Sequence, residues 1–264
     1  MVRNWTEFLQ GSANPEHAVQ IYADLGELAE SVAAYLVAGF EAGEPAVVIA
    51  TPEHLGYFTE RLAASGWDAR RIEEQGLLEV ADAEATLARL MVDDAPSAVA
   101  FEQVVGRLLD QIADRFPERR MRAFGEMVDL LCARGRPEAA NALEELWNAA
   151  ARRRNFSLLC GYRLDVFDRA SQIATLPGVC RSHSHVRPAH DPERLARAVG
   201  LALDEVLGAA DAGKVYVLVG QQMREDKVPV AQLVLMWVSA NMPVLADRIL
   251  GSARTHYIDD PVVV

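Results

Sequence analysis

Cysteine is scarce in this chain: Cys132, Cys160 and Cys180 are the only three in 264 residues. An odd, small number argues against a disulfide framework, and Met1 to Trp5 carry no apolar targeting core. Free thiols in a reducing cytoplasm are the expectation. No apolar run reaches membrane length. The longest, Val228 to Met242, is interrupted by Pro229, Gln232, Ser239 and Asn241 and reads as a buried helix. Positive charge is also short, with 26 Lys and Arg against 38 Asp and Glu and a formal net charge of −12. That balance disfavours non-specific binding to nucleic acid or anionic lipid. The two basic clusters, Arg119-Arg120 with Arg122 and Arg152-Arg153-Arg154, are expected to be solvated surface. No internal repeat or low-complexity tract interrupts the chain. No nucleophilic triad emerges either. Ser182 lacks a tight nucleophile turn, and Cys132 has no evident activating base.

A phosphate-binding loop is missing where an α/β nucleotide-binding protein would carry one. Residues 17 to 50 read strand, turn, helix, turn, strand, and the first turn is Tyr22-Ala23-Asp24-Leu25-Gly26-Glu27-Leu28. It has one glycine, no lysine and two carboxylates. Backbone amides at a helix start attract phosphate, and a phosphate loop needs glycines for close approach and a lysine for charge. Asp24 and Glu27 would occupy that position or repel an anion. The turn therefore argues against ATP as a cofactor, and no other cofactor is named by the residues.

What is present is alternation. Ala18–Tyr22 is predicted to be a strand, and Asp24 with Glu27 forms a capping-box-like pair. Leu25, Leu28, Ala29, Val32, Leu36 and Phe40 then recur at helical spacing. Ala46–Ala50 is a continuous apolar strand, as expected when both faces are covered. Further strands are predicted at Gly76–Val80, Met121–Phe124 and Phe156–Cys160. Helices are predicted at Pro52–Ala64, Ala83–Met91, Ser97–Phe116 and from Pro137 to about Arg153. The pattern implies a mostly parallel sheet with right-handed crossovers. It changes near Pro188–Pro192. Pro192–Leu207 and Val230–Ile249 read as helical, with Pro243 expected to split the latter, while Lys214–Met223 fits strand or helix. The expected division is an α/β domain over residues 1–188 and a small, mainly helical module over 189–264.

Six segments in order resemble the MEDS family, a sensory domain named after methanogens, methylotrophs and a dichloromethane-responsive repressor. They are His17–Tyr22, Gly43–Thr51, Phe124–Leu131, Leu143–Asn148, Phe156–Tyr162 and Val179–Val186. The family is similar to RecA-like and KaiC-like ATPase domains, and Gly66-Trp67-Asp68 followed by Gly76–Glu79 also looks KaiC-like. The resemblance implies a RecA/KaiC-like sheet flanked by helices, and the sensing of small organic or hydrocarbon-derived ligands. Such domains are usually joined to DNA-binding or histidine-kinase modules. Here there is no helix-turn-helix signature, kinase motif or long basic helix, which leaves the output to residues 190–264.

In an open α/β sheet, ligands sit beyond the carboxyl ends of the strands. Tyr22, Thr51, Glu53, Glu126 and Tyr162 are predicted at such ends, with His17 less well placed at a strand entrance. Trp147 or Phe124 would line the pocket, or pack in the core. Glu126 follows a strand near where RecA-like ATPases place a metal-positioning or water-activating carboxylate, and Asp129, Glu144 and Glu145 could join it. Alternatively Glu126 caps the next helix or pairs with Arg122 or Arg154. His183 and His185, if extended, point to one side and suit a ligand-contacting or hydrogen-bonding role. With Cys160 and Cys180 they could also hold a tetrahedral zinc ion, although Cys160 is most simply a buried hydrophobe. The leading expectation is a non-catalytic, cytoplasmic sensory or regulatory protein. It would bind a small organic ligand or a partner protein, with no direct nucleic acid or membrane contact. The helical module would dimerise or dock, its apolar stretch around Trp237 serving as that surface or as its own core. The alternative is a divergent nucleotide-binding protein or ATPase using Glu126.

Overall fold

The computed structural model describes residues 5–11, 16–222 and 228–260. Met1–Asn4, named above for their lack of a targeting core, and Met223 lie outside the described residues. Ahead of the first strand lies a short helix, Trp5–Gln10.

Six parallel strands form the central sheet: β1 His17–Tyr22, β2 Ala46–Ala50, β3 Leu78–Asp82, β4 Met121–Gly125, β5 Phe156–Arg163 and β6 His185–Arg187. Their order is β3-β2-β4-β5-β1-β6. β1 through β5 are joined by helical crossovers, as the alternating pattern requires. The helices that matter for the site are α1 Leu25–Glu41, α2 Pro52–Ala64, α3 Met127–Ala133 and α4 Pro137–Ala151.

Local chemistry sets these bounds. Asp24 caps α1 by accepting from the Glu27 amide at 3.0 Å, and Gly43, at φ +70°, carries the chain out of it. Thr51 caps α2, whose first position is Pro52. Two predicted strands shift or lengthen. β3 begins two residues later than Gly76, because Gly76 is in the left-handed region at φ +71° and serves as a turn. β5 runs on past Cys160 to Arg163, paired with β1 throughout. The helix predicted over Ser97–Phe116 is one rod, Ala98–Arg115, with a π-helical turn at Glu102–Gly106.

Both faces of the sheet are covered. Ala18, Tyr22, Val48, Phe124 and Leu159 pack with α1 and α2 residues such as Leu28, Val32, Leu36 and Phe58. On the other face, Trp147 of α4 meets Phe101 and Phe156 edge-on at ring-centre distances of 5.2 and 6.1 Å. Phe124 packs on Phe58 at 5.0 Å. Both aromatics proposed above as pocket linings, Trp147 and Phe124, are therefore core.

Arg122 corrects a second expectation. It is 2% exposed and lies on β4, not on a solvated surface. The central strands have both faces buried, so a charged side chain there must find partners inside. Arg154 is also engaged, bonded to Glu102 and Asp110.

Contacts divide the chain into two compact units. One holds the described residues up to Arg163 together with Ser182–Arg187, and the other holds Leu164–Arg181 and the described residues from Pro188 on. The second unit contains α5 Pro192–Leu207, α6 Ala209–Gln222, α7 Val230–Asn241 and α8 Ala246–Asp259. The Lys214 region is thus helical, and Pro243 separates α7 from α8 as expected. In α7, Ala231 to Met236, Val238 and Ser239 are buried, and the helix packs against α5, α6 and α8. The apolar stretch around Trp237 is the core of this unit. Among the described residues no helix is long and apolar enough to cross a membrane.

Candidate functional site

Two clusters of ionisable groups lie in the first unit. The first is at the carboxyl edge of the sheet. β2 leads outward to β3, whereas the neighbouring β4 leads the other way to β5, so the chain diverges between them. A crevice beyond strands that diverge in this way is where open α/β sheets bind ligands. Glu126, the residue after β4, spans this point. Its carboxylate accepts from the Thr51 amide and meets His54 Nδ1, both at 2.5 Å. Asp129, one turn into α3, accepts from the Tyr22 hydroxyl at 3.3 Å and the Arg163 amide at 2.8 Å. It thereby bridges the carboxyl ends of β1 and β5.

Burial and the nearby Glu126 charge push the Asp129 carboxyl up to about 6. Burial pulls His54 down, but the bond to Glu126 outweighs it and the imidazole is raised. Tyr22 is raised by burial and by Asp129. This edge can hold a proton near neutral pH and presents carboxylates rather than cations.

The adjacent turn carries two carboxylates, Asp24 and Glu27. The Asp24 carboxylate takes the Glu27 amide at the start of α1, the donor a phosphate would need. Asp24→Ala should cost about 1 kcal/mol of stability by loss of this cap, whereas Asp24→Ser should retain most of it. Equal unfolding midpoints in urea for Asp24→Ala and the parent would contradict the cap.

The second cluster is buried between the sheet and α4. Alternation along parallel strands puts His17 on one face with Cys160 and Tyr162, through the pairs Val19 with Cys160 and Ile21 with Tyr162. Glu144 descends from α4 onto them. His183 arrives from the segment before β6, which is tied to β1 by the Ser184 amide and hydroxyl, both donating to the His17 carbonyl at 2.7 and 2.8 Å. One donor atom each from His17, Glu144, Cys160 and His183 lie within 4.8 Å of one another. Exposure is 6, 0, 0 and 1% respectively. The Tyr162 hydroxyl donates to Glu144 Oε1 at 2.6 Å. Burial, with His183 alongside, lowers His17 to about 4, so its ring is neutral. Burial, with Glu144 alongside, pushes the Cys160 thiol well up.

The predicted residues thus part company. Tyr22, Thr51 and Glu126 meet at the carboxyl edge. Tyr162 does not, because β5 extends past the expected end and turns its ring inward to Glu144. His183 joins the buried cluster, whereas His185, the first residue of β6, lies 3.4 Å from Glu16 and beside Phe8. The two histidines do not share a surface, since the strand begins only at His185. The four residues weighed for zinc are likewise separated: Cys160 and His183 are together, Cys180 belongs to the second unit, and His17 and Glu144 stand in the cluster instead of Cys180 and His185. Glu126 pairs with neither arginine and makes no side-chain cap to α3. Glu144 belongs to the buried cluster rather than to the Glu126 edge, and Glu145 is exposed. His54 went unnoticed in the sequence. Its signal is its place in the first turn of the helix that follows β2.

Compared with known families, residues 16–184 match the model for MEDS, described as the methanogen/methylotroph, DcmR sensory domain. The chain belongs to the MEDS family. No curated protein matches it. The MEDS match takes in every member of both clusters and none of the second unit's four long helices. The MEDS family is one of sensory domains, which agrees with a sensing or regulatory role.

Proposed function

We propose that this MEDS domain is a non-catalytic receptor for a small organic ligand, bound at the carboxyl edge around Tyr22, Thr51, His54, Glu126 and Asp129. The observation that carries the reading is the set of contacts made by Glu126 and Asp129, which link the ends of β1, β2, β4 and β5 through perturbed ionisable groups at a topological switch point. Two carboxylates, with Asp24 nearby, favour neutral or cationic ligands carrying hydrogen-bond donors over anions. The parallel sheet and the capped turn after β1 support a degenerate RecA/KaiC-like scaffold that has lost its phosphate site. Ligand entry would compete with His54 and the Thr51 amide for Glu126, altering the start of α2, and that change would be passed to the helical module over residues 189–264.

Thermal shift against alcohols, amines, carboxylates and nucleotides tests this. An alcohol or amine is expected to raise the melting temperature in a dose-dependent manner, and Glu126→Gln to weaken that ligand at least tenfold. A shift with ATP and magnesium, accompanied by phosphate release, would instead support the ATPase reading.

A further inference from the structure

The buried cluster has the geometry of a metal centre. A tetrahedral zinc ion with nitrogen and oxygen ligands at about 2.0 Å and sulfur at about 2.3 Å sets ligand-to-ligand edges of about 3.3 Å between N and O, and about 3.6 Å between N and S. Here His17 Nε2 lies 3.3 Å from Glu144 Oε2 and 3.3 Å from Cys160 Sγ, and His183 Nε2 lies 3.4 Å from Glu144 Oε1. Charge-assisted hydrogen bonds between imidazolium and carboxylate would close to about 2.7–2.9 Å. These three contacts match tetrahedral edges, and all four ligand atoms lie within 4.8 Å of one another, so a small inward closure brings them around a common centre.

The hydrogen bonds behind His17 fix which nitrogen faces inward. Asn148 Nδ2 donates to the Ser182 carbonyl at 3.1 Å, which can only accept. The Asn148 oxygen must therefore face His17 Nδ1, at 2.9 Å, and Nδ1 carries the proton. Nε2 then faces Glu144 Oε2 and the Cys160 sulfur, each at 3.3 Å. An outer residue that holds Nδ1–H and frees Nε2 is the usual support of a metal-bound histidine, and Tyr162 supports the Glu144 carboxylate in the same way.

We propose that His17, Glu144, Cys160 and His183 bind one Zn2+ ion in a closed tetrahedral site, tying β1, β5, α4 and the segment before β6 together. The donor set of two imidazoles, one carboxylate and one thiolate suits zinc. A Zn2+ ion balances the charges of the carboxylate and the thiolate, leaving the site neutral, as its burial demands. Four protein ligands leave no open position, so the site is structural rather than catalytic. Loading takes the proton from Cys160 Sγ–H and releases it to solvent.

Metal analysis of the purified full chain is expected to give about one zinc per chain, falling at least tenfold in Cys160→Ala and in His183→Ala. Asn148→Ala, which removes only the outer support, should weaken zinc binding by about 10–100-fold. Should the ligand variants fail to fold, the parent chain refolded with Co2+ alone decides the matter. A thiolate-to-cobalt charge-transfer band with intense tetrahedral d–d bands supports the site. Absence of zinc together with absence of those bands overturns it, as does full zinc content in Cys160→Ala. Glu126→Gln should keep its zinc, so failure of the edge receptor and failure of the metal site are told apart.

Discussion

Arg122→Met is expected to lower the unfolding free energy by about 3–5 kcal/mol, a large share of the roughly 5–15 kcal/mol that holds a typical domain folded. Arg122 is a β4 residue 2% exposed, and its guanidinium is spent entirely on internal partners. Nε donates to Glu44 Oε2 at 2.7 Å, and Nη1 donates to the carbonyls of Leu9 and Tyr35, both at 2.6 Å. The group also stacks over the Tyr35 ring at 4.8 Å. Methionine fills much the same space but donates nothing. It strands a partly buried carboxylate and two carbonyls, and the cost is their unrepaid desolvation. Lysine should rescue little, since one ammonium cannot reproduce the planar fork. Room for the side chain comes from Gly39, where an added Cβ would lie 2.5 Å from Arg122 Cδ. Gly39→Ala should therefore be destabilising in the same direction. Arg119→Ala, at an exposed position bonded to the Ala42 carbonyl, should cost less than about 0.5 kcal/mol. Urea denaturation of the three variants checks the order, and an Arg122→Met protein as stable as Arg119→Ala would refute the role given to Arg122.

Asp129→Asn should act in the opposite direction and stabilise the protein at pH 8, by up to about 2 kcal/mol. In the unfolded chain this carboxyl loses its proton near pH 3.9, as free aspartate does, whereas in the fold it holds it up to about 6. Between those values the folded state binds more protons than the unfolded state, so stability falls as pH rises through the window and stays lower above it. His54, also raised, contributes with the same sign: its stabilisation is full below the ordinary imidazole value and is lost as pH rises through its folded value. Asparagine keeps an oxygen for the Arg163 amide and removes the charge that crowds Glu126. The variant should flatten the decline between pH 4 and 6. Denaturant midpoints across pH 4–8 test this, and a variant weaker than the parent at pH 8, or one with an unchanged slope, would contradict the assigned cause. The same substitution removes a carboxylate from the proposed receptor edge, so stability would rise where ligand affinity falls, a common trade at binding sites.

Much of the fold was legible in the residue order, because its determinants are local. Asp24, Thr51 and Pro137 start helices, Gly43 and Pro243 stop or divide them, and the apolar run Ala46–Ala50 announces a strand covered on both sides. The acidic turn after β1 was equally plain, since a capping bond to the Glu27 amide depends only on residues three apart. The ordered MEDS segments were readable for the same reason.

The tertiary structure alone decided which of these residues meet. Glu126 finds His54 across 72 positions, and His17 finds Glu144 and Cys160 across 127 and 143, because β4 lies beside β2 and β5 beside β1. Strand order is a global property that no window of sequence contains, and one strand three residues longer than its pattern sends Tyr162 inward and away from the edge. Arg122 looked like surface for a related reason: charge in a sequence indicates solvent only until the fold supplies buried carbonyls and a carboxylate to receive it.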